Sequence, residues 1–318
     1  MIKAKRTVYS KRTRVGQGLE RGINRLEKRR NKKEPARIRG ELKGQIARAW
    51  TEKVLIRTLS GAVYAIAIVA CIFLDTSALA LAIAGMAWLC CSEFFRMAHK
   101  AGYAPNEFIG LFVALVFPVV AQLGSVVYLT CVVVIYAMVL AAYYIITPKA
   151  TIADIALSFI GPLYCSLMLS HIVLIRTAEA TQPLGIVTLA VMGSVWVEDA
   201  AAYFVGCNFG RHRLAPTISP NKSVEGFFGG LVGCIAIWLI AAYLNFIPVG
   251  LPFAAFCGLC VGVISVVGDL FESRIKRSVN LKDSGNIIPG HGGLLDRNDS
   301  MLFGCTMAYL LLHIGGIL

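Results

Sequence analysis

Nine long runs of apolar residues constrain the fold of this chain more than any other feature of its sequence. Each run has roughly 16–23 residues, and a helix needs about 20 apolar residues to cross a bilayer. Because unpaired backbone groups are costly in lipid, runs of this length span membranes as helices. The sequence therefore predicts an all-α integral membrane protein with about nine transmembrane helices, at residues 54–74, 77–95, 108–123, 126–146, 152–175, 184–205, 227–246, 251–271 and 301–318.

Charge divides the chain into two parts. The first 57 residues carry 19 Lys and Arg against five Asp and Glu, whereas the remaining residues carry 12 basic and 13 acidic side chains. We therefore predict a basic cytosolic tail at residues 1–53 and a transmembrane domain at residues 54–318. The tail is expected to set the topology, and it is either disordered or bound to anionic lipid. No nucleic-acid partner is expected, since aromatic residues are not interleaved with the cations of the tail.

The loops between the apolar runs alternate in charge. Almost all Lys and Arg beyond the tail fall in the loops at 96–100, 148–151, 206–225 and 272–300. By the positive-inside rule, this alternation predicts a cytosolic N-terminus. It also places the two long polar loops on the same, cytosolic side. We therefore expect a multi-pass protein of the cell (inner) membrane whose polar loops face the cytoplasm.

The polar segment, residues 273–299, combines cations, carboxylates and glycines at the end of a long apolar run. Its cations can neutralise phosphate oxygens, and a pair of adjacent glycines allows the backbone to approach a ligand closely. His291 either donates to a phosphate or only shapes a turn. The cations are Lys276, Arg277 and Lys282, and the glycines are Gly292 and Gly293.

Carboxylates in and beside the apolar runs suggest a cation site. An acid inside a spanning run is costly, which makes Asp199 and Asp269 functional candidates, whereas Glu198 is interpreted as structural. Asp296 and Asp299 are three residues apart, so they share a helix face if the last helix begins near Asp296. Their oxygens, together with those of Asp269, suit Mg²⁺.

The loop at 206–225 is a second candidate phosphate site. Ser219, Lys222 and Ser223 stand in a predicted tight turn that leads directly into a helix, where backbone N–H groups and a cation would face a phosphate. The alternative is a plain cytosolic loop whose charges only set the topology.

The polar segment resembles the signature of the phosphatidate cytidylyltransferase (CDP-diacylglycerol synthase) family. That signature reads S-x-hydrophobic-K-R, a short spacer, and then K-D-x-small-x-x-hydrophobic-P-x-H-G-G-hydrophobic-x-D-R-hydrophobic-D. Residues 199–230 resemble the family's D-T-G-A-Y, I-S-P-x-K and E-G pattern, with Ala200 and Ala201 in place of Thr-Gly. Asn298 stands where the family prefers an apolar residue or Thr. The matching positions of the polar segment are Ser273, Lys276, Arg277, Lys282, Asp283, Gly285, Ile288, Pro289, His291, Gly292, Gly293, Asp296, Arg297 and Asp299.

The resemblance implies an enzyme that transfers CMP from CTP to phosphatidate, giving CDP-diacylglycerol and pyrophosphate. It implies Mg²⁺ as cofactor, with a second cation left open, and the lipid bilayer as partner, with a homodimer left open. The implied catalytic residues are Lys222, Lys276, Arg277, Lys282 and Asp283. The implied substrate-binding residues are Ser219, Pro220, His291, Gly292, Gly293, Arg297 and Asp199, and the implied metal ligands are Asp269 and Asp296, supported by Asp299.

Three alternatives are open. A polyprenol kinase or an ether-lipid cytidylyltransferase would use CTP on another lipid. An ion or solute transporter would use Asp199 and Asp269 along its path, although the sequence shows no repeated, interrupted helices. A catalytically inactive member of the family is the third. Which phosphate of CTP is transferred, and to which lipid, distinguishes the enzymes from one another.

Overall fold

Nine helical rods account for most of the residues that the computed structural model describes, which are 61–179, 184–285 and 292–318. The predicted basic tail at 1–53 and His291 lie outside these residues. The first four rods are α1, described over Gly61–Leu74, α2 (Thr76–Lys100), α3 (Glu107–Ala121) and α4 (Val126–Ile146). The fifth rod consists of α5 (Ile152–Pro162), a π turn (Leu163–Leu167) and α6 (Met168–Ala178). The last four are α7 (Ile186–Phe209), α8 (Val224–Tyr243), α9 (Leu251–Ser278) and α10 (Leu295–Ile314).

Each predicted apolar run corresponds to one of these rods. Six rods are long and apolar enough to cross a membrane, which is consistent with a multi-pass integral membrane protein. Within the described residues, α1 and α3 are shorter apolar helices. The number of crossings and their orientation therefore stay predictions. The six candidate spans are Thr76–Lys100, Val126–Ile146, Ile152–Ala178, Ile186–Phe209, Val224–Tyr243 and Leu251–Ser278.

The surface of the rods is apolar over wide areas, as a surface in contact with lipid would be. Only Leu129, Tyr136 and Leu140 of α4 are buried, so most of this very apolar helix faces outward. Phe108 and Ile145 are 84% and 80% exposed. An apolar exterior of this extent would be a liability in water, since soluble proteins rarely expose large contiguous apolar patches.

One prediction was wrong in detail, because the loop at 206–225 contains a β-hairpin. Strands β1 (Arg213–Ala215) and β2 (Ser219–Ser223) pair antiparallel, with Arg213 opposite Ser223 and Ala215 opposite Ser219. The segment that was predicted to be a tight turn is therefore strand β2. Pairing satisfies its backbone groups, and α8 then begins directly after β2 with Ser223 as its N-cap, whose Oγ accepts from the Gly226 N–H at 3.1 Å.

The two ends of the polar segment are helical. Helix α9 continues to Ser278, beyond the predicted end at residue 271, and so carries Lys276 and Arg277 in its last turns. Helix α10 begins at Leu295, six residues before the predicted run at 301–318, and this start meets the condition for Asp296 and Asp299 to lie together in the first turns. Both ends of the segment thus belong to packed helices.

Close packing of α8 against α9 depends on a glycine. A Cβ built on Gly258 would lie 2.7 Å from the Ile235 Cα and 3.2 Å from the Trp238 Cβ. Trp238 is fully buried, and its Nε1 donates to Ser194 Oγ on α7 at 3.2 Å. Helices α7, α8 and α9, which flank the predicted site, are therefore closely packed around Trp238.

We expect the Gly258→Ala substitution to lower the free energy of unfolding by about 1–3 kcal/mol, because the added methyl meets helix backbone, which cannot yield as a side chain can. Gly85→Ala is the matched control, since a Cβ there meets nothing within 4 Å. In a helix interior this control change is expected to be neutral or to stabilise by up to about 1 kcal/mol. Thermal unfolding in detergent measures both variants, and equal unfolding temperatures would contradict the packing described.

Candidate active site

A cavity of about 490 Å³ lies between α7, β2, α8 and α9. This volume is within the range of about 300–1,000 Å³ that is typical of small-molecule sites. Three predicted site residues line it together: Asp199 from α7, Lys222 from β2 and Asp269 from α9. Asp199 is open to the cavity rather than packed into the bundle. The cavity thus unites the predicted loop at 206–225 with the helix that leads into the polar segment.

Lys222 forms an ion pair with Asp269 across the cavity wall, and the two side chains are 27% and 20% exposed. Ser273 Oγ donates to the other oxygen of Asp269 at 3.3 Å. Burial alone would lower the pKa of the Lys222 ammonium, but the carboxylate of Asp269 outweighs burial and holds that pKa above its ordinary value. Lys222 is therefore a permanent cation at neutral pH.

Arg277 holds the β-hairpin against α9. Its Nε donates to the Ile218 carbonyl at 3.1 Å, and its Nη1 donates to the Leu281 carbonyl at 2.9 Å. Ile218 directly precedes β2, so this side chain fixes the strand that carries Lys222. Arg277 is one of the residues predicted to neutralise phosphate, but its guanidinium is hydrogen-bonded to two backbone carbonyls.

Lys276 is buried between two carboxylates. It forms an ion pair with Glu272 one turn earlier on α9, and its Nζ lies 2.6 Å from Asp296 Oδ1 on α10. The second oxygen of Asp296 accepts from the N–H groups of Ser284 at 2.9 Å and Gly293 at 2.8 Å. Both oxygens of Asp296 are therefore occupied by groups of the chain itself.

The three predicted metal ligands do not form one cluster. Across the described residues, no group of three or more His, Cys, Asp or Glu side chains is arranged to hold a metal ion. The physical reason is that Asp296 is directed towards Lys276, whereas Asp269 faces the cavity. Asp299 remains within electrostatic reach of Asp269 and Asp199.

Ser300 links α10 to the cavity wall. Its Oγ donates to Asp199 Oδ1 at 3.1 Å, and its N–H donates to Asp299 Oδ1 at 2.8 Å. Beside Asp199, the carboxylate of Glu198 is 1% exposed, and its Oε2 has no hydrogen-bond partner in the described part of the chain. Carboxylate oxygens that could bind a cation therefore lie on one side of the cavity, and one of them has no hydrogen-bond partner in the described residues.

The remaining predicted residues lie around the polar segment. Lys282 and Asp283 are exposed and line a second pocket of about 280 Å³ with Arg96 and Lys100 of α2. Gly292 has a φ of +87°, in the left-handed region that favours glycine. Pro220 and Arg297 are exposed, Ser219 is half-buried and Gly293 is buried.

Sequence reasoning missed Glu93, which α2 contributes to the site. This carboxylate is fully buried and accepts from Leu294 N–H at 3.0 Å, Leu295 N–H at 2.9 Å and Ser284 Oγ at 2.7 Å. The signal that singled out Asp199 and Asp269, an acid inside an apolar run, applies equally to Glu93. Its role becomes visible only through its contacts with residues about two hundred positions away in the sequence.

Asn298 stands where the family prefers an apolar residue or Thr, and the structure explains this difference. Asn298 is 1% exposed, donates from Nδ2 to the Leu294 carbonyl at 2.9 Å, and accepts from the Tyr64 hydroxyl at 2.7 Å. Both ends of the amide are therefore satisfied, and α10 is joined to α1. The unusual residue adds a contact and leaves the neighbouring charges in place.

Residues 55–315 match the cytidylyltransferase family. The chain belongs to this family. It is 33% identical over 254 residues to the phosphatidate cytidylyltransferase of Synechocystis sp., an alignment that covers 72% of this chain and 86% of that protein. It is 45% identical over 120 residues to that of Bacillus subtilis (38% and 45% covered) and 41% identical over 135 residues to that of Thermotoga maritima (40% and 48% covered). The resemblance of the polar segment is thereby confirmed.

Removing the charge of Asp296 is expected to destabilise the protein. In Asp296→Asn, buried Lys276 loses one of its two carboxylates, and we expect the free energy of unfolding to fall by about 3 kcal/mol. Asp283→Asn, an exposed acid of the same segment, is the matched control and is expected to change stability by less than about 0.5 kcal/mol. Thermal unfolding in detergent distinguishes them, and equal stability of the two variants would show that the buried pair contributes little.

Proposed function

We propose that this chain transfers CMP from CTP to phosphatidate, giving CDP-diacylglycerol and pyrophosphate for phospholipid synthesis. The observation that carries the proposal is the cavity in which Asp199, Lys222 and Asp269 meet. Asp199 and Lys222 belong to the first motif by which the chain resembles its family, and Asp269 lies four residues before the start of the second. The relatives of the chain carry the name phosphatidate cytidylyltransferase.

The reaction makes demands that this site can meet. A phosphate oxygen of phosphatidate forms a bond to the α-phosphorus of CTP, and the bond between the α-phosphorus and the bridging oxygen breaks as pyrophosphate leaves. The second pKa of a phosphate ester is about 6, so the lipid phosphate is already largely ionised at neutral pH. The protein must therefore chiefly hold two polyanions together and stabilise the charge that develops. Lys222, a fixed cation in the cavity wall, supports this role.

A magnesium ion fits the donor chemistry of the cavity. Mg²⁺ prefers oxygen ligands and usually shares its coordination sphere with substrate phosphates. Asp269 and Asp199 would hold it, with Asp299 as support, and the unpartnered Oε2 of Glu198 agrees with an oxygen-rich site. Such an ion would neutralise phosphate charge. Asp269 is also paired, but its side chain is 20% exposed and lines the cavity, where a ligand can reach it. The side chain of Asp296 is 5% exposed and has both oxygens occupied, so we assign that residue to the architecture of the site instead.

The second pocket supports a supplementary phosphate-binding role for Lys282. It has three cations, Arg96, Lys100 and Lys282, against the single carboxylate of Asp283. A pocket of this charge favours an anion such as a phosphate group. Ser219, Pro220, Arg297 and the glycines of the polar segment are proposed to shape the substrate surface, and a second cation and a homodimer stay predictions.

We further propose nine crossings of the cell (inner) membrane, with a cytosolic N-terminus and an active site that faces the cytoplasm. One substrate is a lipid and the other is water-soluble, so the site belongs at the membrane edge on the side that holds CTP. The distribution of Lys and Arg between the loops supports this orientation.

Asp269→Asn is expected to abolish CMP transfer. The variant loses both the partner of Lys222 and the proposed cation ligand, and removal of such an electrostatic group typically costs about 100-fold to 1,000-fold in kcat. Purified protein is incubated with phosphatidate, CTP and Mg²⁺, and both CDP-diacylglycerol and pyrophosphate are measured. Asp75→Asn is the matched control, because Asp75 lies outside the cavity as the N-cap of α2 and Asn caps helices equally well.

Different results discriminate between the alternatives. Transfer of the γ-phosphate rather than CMP would indicate a lipid kinase, and activity on ether lipid alone would indicate the other cytidylyltransferase. No nucleotide chemistry, combined with ion flux in liposomes, would indicate a transporter. Pyrophosphate release by Asp269→Asn at the rate of the unmodified protein would overturn the role given to Asp269.

The proposed orientation predicts opposite labelling at the two ends of α4. Leu123 precedes this helix and is 63% exposed, and Lys149 follows it and is also exposed. The exposed native cysteines Cys131 and Cys207 are first replaced. In right-side-out membrane vesicles, a membrane-impermeant maleimide is then expected to label Leu123→Cys but not Lys149→Cys. Inside-out vesicles are expected to give the reverse. Labelling of both variants from the same side would refute the crossing of α4.

A further inference from the structure

Helix α10 lacks an N-cap side chain of its own. Its N-cap residue is Leu294, which makes no side-chain cap hydrogen bond in the described structure. The first N–H groups of a helix have no intrahelical acceptor and need one from elsewhere. Glu93, on α2, provides it through Oε1 to the Leu294 N–H and Oε2 to the Leu295 N–H. A carboxylate at a helix N-terminus is also favoured by the helix dipole.

The same carboxylate holds the other side of the polar segment. Oε2 of Glu93 accepts from the Ser284 hydroxyl at 2.7 Å, so one side chain joins residue 284 to residues 294 and 295. Ser284 in turn donates its N–H to Asp296. Ser284 therefore lies between two carboxylates, one from α2 and one from α10.

Two glycines of the signature are explained by Glu93. A Cβ on Gly293 would collide with Glu93 Oε2 and Ser284 Oγ. A Cβ on Gly285 would collide with Glu93 Oε1 and lie 2.7 Å from Arg96 Nη2. Glycine at these positions lets the backbone close around the carboxylate.

The arrangement is sensitive to charge. Glu93 is 0% exposed, and its ion pair among the described residues is with Arg96, whose Nη2 lies 3.8 Å from Oε1 and whose side chain is half exposed. Hydrogen bonds from N–H and O–H groups to an ionised acceptor are roughly twice as strong as those between neutral groups. In the buried interior such a network is rigid when satisfied and costly when one member is lost.

We propose that Glu93 is a positioning residue for CMP transfer, an inference that rests on the proposed function. Its hydrogen bonds and its ion pair within the described residues go to none of the residues that line the cavity. It acts through Ser284 and the start of α10, which fix Asp296 against Lys276 and thereby set the register of α10 against α9. The position of Asp299 and of Ser300, which contacts Asp199 at the cavity, follows from that register.

Glu93→Gln tests the proposal, because it preserves the shape of the side chain but turns one acceptor into a donor that faces other donors. We expect kcat for CMP transfer, per folded protein, to fall at least 30-fold, with the KM for phosphatidate changed less than twofold. Glu107→Gln is the matched control: the Glu107 side chain is 43% exposed on α3, its ion pair within the described residues is with His99, and the substitution is expected to leave kcat unchanged.

Two further variants keep the proposal testable if Glu93→Gln folds poorly. Glu93→Asp retains the charge and is expected to recover at least fivefold in kcat over Glu93→Gln. Ser284→Ala removes the donor to Oε2, so its effect and that of Glu93→Gln on kcat are expected to be less than multiplicative in the double variant.

The outcomes separate the two proposals. An unmodified protein that makes no CDP-diacylglycerol would refute the proposed function. An active unmodified protein together with Glu93→Gln at full kcat would refute the inference alone. Glu93→Asp no better than Glu93→Gln, or independent effects of Glu93→Gln and Ser284→Ala, would also contradict it.

Discussion

The buried ammonium of Lys276 is the interaction on which the site depends. It is nearly buried in the last turn of α9, where an unpaired charge would be costly, and two carboxylates from α9 and α10 compensate it. The requirement to satisfy this charge fixes Asp296, and Asp296 in turn fixes the backbone at Ser284 and Gly293. A single cation thus helps to hold the described parts of the polar segment at Ser284 and at Gly293.

The acidic residues of the site fall into two groups with different roles. Glu93 and Asp296 have their oxygens filled by N–H, O–H and ammonium groups of the chain, so they stabilise the architecture. Asp199 and Asp269 border the cavity, where a ligand can reach them. The division follows from exposure to the cavity rather than from residue type, since Asp269 is itself paired with Lys222 and Ser273. It explains why a sequence with so many acids in one region has only a few that a ligand can reach.

Much of this could be predicted from sequence, because hydrophobic length and motif spacing are local properties. The nine apolar runs correspond to nine rods in the described residues, although α10 begins at Leu295, six residues before the predicted run. The partners of Asp296 could not be predicted, since an ion-pair acceptor and a metal ligand are the same residue type. The role of Glu93 depends on contacts with residues about two hundred positions away in the sequence. The strands of the hairpin are too short to give a recognisable sequence pattern.

Adjacent cations at the end of α9 couple the two polar loops. Successive residues of a helix point about 100° apart, so Lys276 and Arg277 face different neighbours. Lys276 is directed towards α10 and the polar segment, whereas Arg277 holds the carbonyl that precedes β2 and so supports Lys222. Because Asp269 lies on the same helix and pairs with Lys222, the end of α9 sets the position of the hairpin and of α10 at once. A shift of this helix end would therefore displace the hairpin, which lines the cavity, together with α10, which contacts Asp199 through Ser300, and this makes α9 the element that aligns the site.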